Sequence, residues 1–414
     1  MPTILTYVMI TIILVDFIID EVLDYKNHLR WKLPIPQLLK DLYPDNEYEK
    51  ARDYHNENYQ ISKISSYLHT GIILVILFFC LFGKLQNWIA EYTENPFFQA
   101  FIFFGIYGII SFAIGLPFNI YQTFKIEEKY GFNKMTPRLF ILDMVKSTML
   151  GVIIGGALLT AVIAFYLWQP QSFWIYAWIL FSAFSIFMAM FYTSWIVPIF
   201  NKLTPLEAGP LKDALNQLGQ KTGFPLHEVY VIDGSKRSTK ANAYFSGLGP
   251  KKTIVLYDTL IHQLSVEEVV AVMAHEIGHY QNKHVIKSLV ISLIQMGIVL
   301  WVLSLCIHLP AFYEALGADK PAFHIGLIAF SLLYSPIGTL SGLFMNALSR
   351  KNEYEADAYA KSWSNADDLI SGLKKLHKDT LSNINPDPSY VFVHYSHPTL
   401  LQRIYALRGI TDQA

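Results

Sequence analysis

Apolar and polar positions divide this chain into long blocks. Seven apolar runs stand out, at approximately 3–23, 67–83, 97–122, 142–168, 173–200, 286–313 and 322–346. Each has a length suited to an α-helix crossing a bilayer, which takes about 20 mostly apolar residues. The first run, TILTYVMITIILVDFIIDEVL, has no basic segment before it and no small-residue cleavage site after it. It reads as a retained helix rather than a signal peptide. Asp16, Asp20 and Glu21 predict that one side of it faces protein or a wet cavity, because charge against lipid is costly. Asp143, Lys146 and Gln295, in or beside later runs, carry the same expectation.

The polar segment 201–285 reads as a small α+β domain. PLEAGPLKDALNQLGQKTGF predicts a helix ending near Gly223, and HEVYVIDGS a strand. ANAYFSGLGPKKTIVLYDTLI predicts two strands around the turn Gly247-Leu248-Gly249-Pro250, the first covering Asn242–Gly247. Ser265 followed by Glu268 makes a capping box, which starts a helix at Val266. The fold class expected is an α-helical polytopic membrane protein with seven transmembrane helices and this small α+β domain on one side. The divisions are 1–200 for helices one to five and their loops, 201–285 for the domain, 286–346 for helices six and seven, and 347–414 for a C-terminal helical segment.

Composition agrees. The 414 residues are 53% hydrophobic and only 16% charged, against about 25% charged in soluble domains. Abundant aromatic and branched residues exclude a disordered chain. Two cysteines, Cys80 and Cys306, both inside apolar runs, exclude a disulfide scaffold and read as small hydrophobes. A net charge of −1 gives no basic field for nucleic acid. Basic residues instead gather in alternate loops. Segment 24–66 carries Lys26, Arg30, Lys32, Lys40, Lys50, Arg52 and Lys63, and segment 123–141 carries Lys125, Lys129, Lys134 and Arg138. The intervening loops 84–96, 169–172 and 314–321 hold Lys84, none and Lys320. This bias predicts a cytosolic domain and C-terminus, with the N-terminus outside or in a lumen.

The capped helix contains His275-Glu276-Ile277-Gly278-His279. Histidines four apart share a helix face and can reach one Zn²⁺, while Glu276 can hold water without being a ligand. A catalytic zinc needs a third protein ligand. The stretch SRKNEYEADAYA offers Glu353, Glu355 and Asp357. Glu353 and Asp357 are four apart and share a face; Glu355 points elsewhere. His279 lies seven residues before one apolar run and Glu353 seven after the next, so both sit about 10 Å from the same membrane boundary. Glu353 is therefore the expected third ligand and Asp357 an acceptor from a histidine N–H.

These residues resemble a known family. HEIGH, then NEYEADAYA, then SHPTLLQRI are similar to the type I CAAX prenyl proteases, integral-membrane zinc metalloproteases. EKARDYHNENY, EEKYGFNKMTP, PIFNKLTPLEAGPLKDAL and KANAYFSG extend the match over nearly the whole chain. The resemblance implies seven transmembrane helices around a water-filled chamber, closed by the cytosolic-side domain. It implies removal of the C-terminal tripeptide from prenylated or membrane-associated peptide substrates, with the lipid bilayer as the other partner. His275, His279 and Glu353 fall on the zinc ligands and Glu276 on the general base. Asn242, with Ala243 and Tyr244, falls on a strand that pairs with substrate backbone. His397 and Arg403 fall on positions that stabilise the oxyanion or hold the substrate. Compact outer loops and a terminal Thr-Asp-Gln-Ala with no retrieval signal give the expectation of a bacterial inner membrane rather than endoplasmic reticulum. A membrane quality-control zinc protease of the HtpX type would use the same chemistry, but the resemblance implies fewer spans for it.

Loop charge generates one test. A reporter fused after Ala414 is expected to be active on the cytosolic side only, and activity on the outer side would overturn the orientation.

Overall fold

The computed structural model describes residues 2–43, 45–224, 228–246 and 253–410. Helix α1 spans Ile4–Arg30 and opens on a capping box between Thr3 and Thr6. Then come α2 (Asp45–Phe78), α3 (Leu81–Tyr92) and α4 (Pro96–Tyr121), the last continuing as a π-helical turn, Gln122–Glu127. Helix α5 is Pro137–Trp168. Helix α6, Phe173–Phe191, passes through a second π-helical turn into α7, Val197–Phe200. Starts at α4 and α5 follow one rule: Asn95 or Thr136 caps the first amides and proline occupies the first turn.

The middle of the chain supplies β1 (Leu203–Pro205), α8 (Pro210–Thr222), β2 (Glu228–Ile232), β3 (Ala243–Ser246), β4 (Thr253–Tyr257) and α9 (Asp258–Gln263). The sheet order is β1-β2-β4-β3, with β2 and β4 parallel and the other pairs antiparallel. Among the described residues strand β3 therefore lies at an edge, bonded along one side only. The turn expected at Gly247–Pro250 lies outside the described residues. Helix α10, Val266–Gln281, begins on the Ser265–Glu268 capping box. Then follow α11 (His284–Cys306), α12 (Pro310–Ala315), α13 (Phe323–Trp363), α14 (Ala366–Asp379), α15 (Pro388–His394) and α16 (Leu400–Arg408).

Among the described residues, six helical segments are long and apolar enough to cross a membrane: Glu47–Phe78, Pro96–Glu127, Pro137–Trp168, Phe173–Phe200, His284–Cys306 and Phe323–Trp363. The chain is a polytopic, mostly helical membrane protein. Helix α1 is long enough, at 27 residues, but contains Asp16, Asp20 and Glu21. Several stretches expected as loops are helical. Helix α1 runs on to Arg30, α2 begins at Asp45, and α3 occupies most of 84–96. Hydropathy marks where lipid ends, not where a helix ends; these extensions are held by tertiary packing. Helix α13 passes the 346/347 division unbroken, whereas α10 and α11 are separate helices.

Two apolar cores close the molecule at its ends. One gathers Tyr43, Ile126, Leu256, Met273, Ile277 and Ile404 around α10. The other gathers Phe82, Ile89, Phe103, Phe173, Leu316 and Ile325 at the opposite end of the long helices. Between them the helices are half-buried or exposed rather than buried. Helix α13 is buried over Phe323–Phe330 and again from Asn352 to Ala360, with no buried side chain at 331–351. Helices α1, α2 and α11 show the same pattern, with buried residues near both ends and none between. In this middle zone polar groups find partners. Asp16 accepts from the Ser335 hydroxyl, Gln295 donates to Ser341, and Lys146 donates to the Ile199 carbonyl. Asp143 holds the Arg237 guanidinium at 2.7 and 2.9 Å.

Helices α10 and α13 meet at Gly278. A Cβ there would stand 3.0 Å from the Ala356 Cα and carbonyl oxygen and from Tyr359 Cβ. Backbone atoms cannot swing aside. Gly278→Val is expected to destabilise by about 1–3 kcal/mol, the usual cost of overpacking, read as a lower thermal unfolding midpoint in detergent. An unchanged midpoint would mean that the two helices are free to part.

Candidate active site

Helix α10 presents His275, Glu276 and His279, and α13 presents Glu353 and Asp357 from the facing side. The i, i+4 spacing puts the two imidazoles on one stripe of α10. His275 Nε2 lies 3.1 Å from His279 Nε2 and 3.4 Å from Glu353 Oε2, and His279 Nε2 lies 3.2 Å from Glu353 Oε1. His275 and Glu353 are buried and His279 half-buried, and their ligand atoms all lie within 4.8 Å of one another. Glu353 Oε2 is a buried oxygen that accepts no hydrogen bond among the described residues. Such an oxygen is costly unless something else neutralises it. Burial pushes His275 towards neutrality, and its bond to Asp357, with the Glu353 carboxylate close beside it, outweighs this, raising it to about 9. The cluster thus favours positive charge at its centre, which a metal cation supplies. The residues fit a metal site.

The outward sides of the ligands are also held. Asp357 Oδ1 is 2.8 Å from His275 Nδ1. Arg403, 8% exposed, grips Asp357 through Nε at 2.8 Å and Nη2 at 2.6 Å. Its Nη1 is 3.7 Å from Glu353. Sequence resemblance set Arg403 towards oxyanion or substrate; two of its nitrogens instead face Asp357. His397 is largely exposed, with Nε2 3.3 Å from Glu353 Oε1 and Nδ1 2.9 Å from the Ser396 hydroxyl.

A cavity of about 280 Å³ opens over the cluster, lined among others by Asn242, Ala243, Glu276, Leu373, His397 and Arg403. Burial raises the Glu276 carboxyl above the usual carboxylate range, against the pull of His275 and His279. Asn242 and Ala243 bring the edge of β3 to this cavity. The Tyr244 side chain packs on the other face of the sheet, against the cluster of Val197, Ile232 and Val255. Alternation along a strand requires that split. Leu369, Leu373 and Leu376 of α14 form an apolar wall that sequence reading did not single out. Glu268 fixes α14 there: it caps α10 and also accepts from Ser371 at 2.7 Å and Lys375 at 2.8 Å. Glu355 was set aside as pointing elsewhere, and His284 was missed because no periodicity marks it.

Comparison with known proteins follows the same residues. Positions 205–411 match the description "Peptidase family M48". Positions 24–202 match "CAAX prenyl protease N-terminal, five membrane helices". The chain belongs to peptidase family M48. It is 32% identical to CAAX prenyl protease 1 of Saccharomyces cerevisiae, over 96% of this chain and 94% of that protein. It is 32% identical to the CAAX prenyl protease 1 homolog of Homo sapiens, over 90% and 88%. The crystal structure of S. mikatae Ste24p superposes with a TM-score of 0.91 at 33% identity, covering 98% of this chain and all of that one. As an M48 member the protein is a membrane metalloprotease.

The Asp357–Arg403 pair generates a test. Arg403→Met leaves the buried Asp357 carboxylate with His275 as its remaining partner, and stability is expected to fall by up to about 3–5 kcal/mol. Adding Asp357→Asn should recover part of that loss in unfolding measurements. Strict additivity of the two changes would show that the pair does not act as a unit.

Proposed function

We propose that this chain is a zinc-dependent endopeptidase that removes the C-terminal tripeptide from prenylated CAAX-type peptides. One observation carries the reading: three ligand atoms converge beside a non-ligating glutamate and a free strand edge. The two imidazole nitrogens, 3.1 Å apart, match the edge of a tetrahedron with zinc–ligand bonds of about 2.0–2.1 Å, roughly 3.3 Å, and each has one of the two Glu353 oxygens 3.2–3.4 Å away. His275, His279 and Glu353 would hold the ion.

Zinc supplies Lewis acidity, polarising the scissile carbonyl and making the attacking water more acidic. Glu276 takes the proton from that water and returns it to the leaving amine. Its raised proton affinity suits a base working nearer neutral pH. His397, exposed at the cavity mouth, would donate to the developing oxyanion by turning its Nε2 away from Glu353. Arg403 acts through Asp357, which keeps His275 oriented. Substrate backbone adds to the β3 edge at Asn242–Tyr244 in the manner of an extra strand, a mode tolerant of side-chain identity.

Seven crossings, α1 included, enclose the chamber. The unburied middle zone between the two cores supports it, and α1 joins that wall through Asp16 and Ser335. A prenyl chain inside gains about 25 cal/mol per Å² of apolar surface covered. Loop charge puts the zinc site on the cytosolic side, in a bacterial inner membrane or an endoplasmic reticulum alike. The relatives compared are eukaryotic, which weighs against the bacterial expectation.

The test uses two peptides identical but for a farnesyl group, assayed in detergent for kcat/KM. The farnesylated peptide is expected to be the faster substrate. Glu276→Gln should keep its zinc and lose at least about 10²-fold in rate, the lower end for a general base. Equal rates for the two peptides would favour a quality-control protease. Near-normal turnover by the variant would remove Glu276 from its role.

A further inference from the structure

Helix α10 ends at Gln281, and α11 begins at His284 after Lys283, which takes the left-handed conformation with φ 57°. The break has a geometric result. Five residues along an uninterrupted helix turn through 500°, so His279 and His284 would face directions about 140° apart. Here the break turns His284 back, and its Nδ1 lies 3.0 Å from His279 Nδ1. His284 is only 3% exposed. Its other nitrogen, Nε2, is 3.0 Å from Glu355 Oε2 on α13. Glu355 in turn is half-exposed, with Lys351 Nζ 3.8 Å away.

Two ring nitrogens at 3.0 Å need one hydrogen between them. His279 turns Nε2 towards His275 and Glu353. With that lone pair given to a metal, its hydrogen resides on Nδ1, which donates to His284 Nδ1. His284 must then carry its own hydrogen on Nε2, which donates to Glu355. Every tautomer in the chain follows from the first. We propose that His284 and Glu355 are positioning residues for the metal ligand His279. They fix its tautomer and ring plane from outside the ligand set and so set metal affinity. The two histidine ligands are thus backed unequally: His275 directly by the buried Asp357, and His279 through a neutral imidazole that ends on a solvent-facing carboxylate.

The inference rests on the zinc reading, and the test separates the two. Full-length protein in detergent is stripped of metal and titrated with Zn²⁺ against a competing chelator. Co²⁺-loaded samples report ligand geometry through their visible absorption. Parent protein that binds no metal overturns the zinc reading and this inference with it. Given a metal-binding parent, His284→Leu is expected to weaken affinity by about 10–100-fold, the usual effect of removing an outer partner of a ligand. It should also shift the Co²⁺ bands. His284→Asn places an oxygen where Nδ1 stood and should stay close to the parent. His284→Gln reaches towards Glu355 but leaves His279 without its acceptor, and should resemble His284→Leu. A purely structural role would lower the thermal midpoint of the metal-free protein without this ordering. Should His284→Leu fail to fold, the Asn and Gln variants decide. Equal affinity in the two, or parent-like affinity in all variants, overturns the proposal.

Discussion

Everything at this site depends on how closely α10 approaches α13. At Gly278 a methyl group would stand closer to the facing backbone than an ordinary contact allows, so the helices would have to give. That contact sets Glu353 and Asp357 opposite the histidines, one turn of α13 apart. Glu353 faces the shared centre and Asp357 faces the back of His275. The Arg403 guanidinium then closes the arrangement from α16, a helix far along the chain. Positions in three distant segments are thereby fixed to within hydrogen-bonding tolerance by one glycine contact and one buried ion pair.

The burial pattern of the long helices complements this. A solid bundle would bury a stripe along the full length of each helix. These helices are instead fully buried near both ends and half-buried or exposed between. Full burial is concentrated in two apolar cores, and the zone between them packs helix on helix only locally, as where Gly297 meets Trp178. Polar side chains such as Asp16 and Gln295 can then occupy the middle of membrane helices because partners on neighbouring helices accept them.

Local signals were legible in the chain. The capping box at Ser265 and Glu268 gave the start of α10, and the four-residue spacings gave the shared faces of His275 with His279 and of Glu353 with Asp357. Hydropathy gave the positions of the apolar runs. Long-range geometry was not legible. Nothing local says that Arg403 reaches Asp357, because an ion pair across 46 positions leaves no periodic trace. The break at Lys283 was hidden too: a lysine in left-handed conformation breaks no composition rule, and His284 sits beyond the motif. Loops were overcalled at 24–66 and 123–141 because polar residues there cover helices packed on the core rather than coil.

Helix α13 also has a mechanical side. It is one continuous helix of 41 residues with Pro336 inside it, up to about 60 Å long, with one end in the far core and the other carrying two site carboxylates. Glu353 lies 30 positions from Phe323, a lever arm of about 45 Å. A swing of about 1° at the far end would displace the carboxylate by roughly 0.8 Å, several times the tolerance of about 0.2 Å for a metal bond. The rod must therefore be clamped near its working end. Asn346 and Arg350 do this, donating to backbone carbonyls of α15 and the turn after it, Val393 at 2.7 Å and Tyr395 at 2.5 Å. Together with the Gly278 contact and the Arg403 pair, those two side chains stand between the thermal rocking of a membrane helix and the coordinates of its catalytic centre.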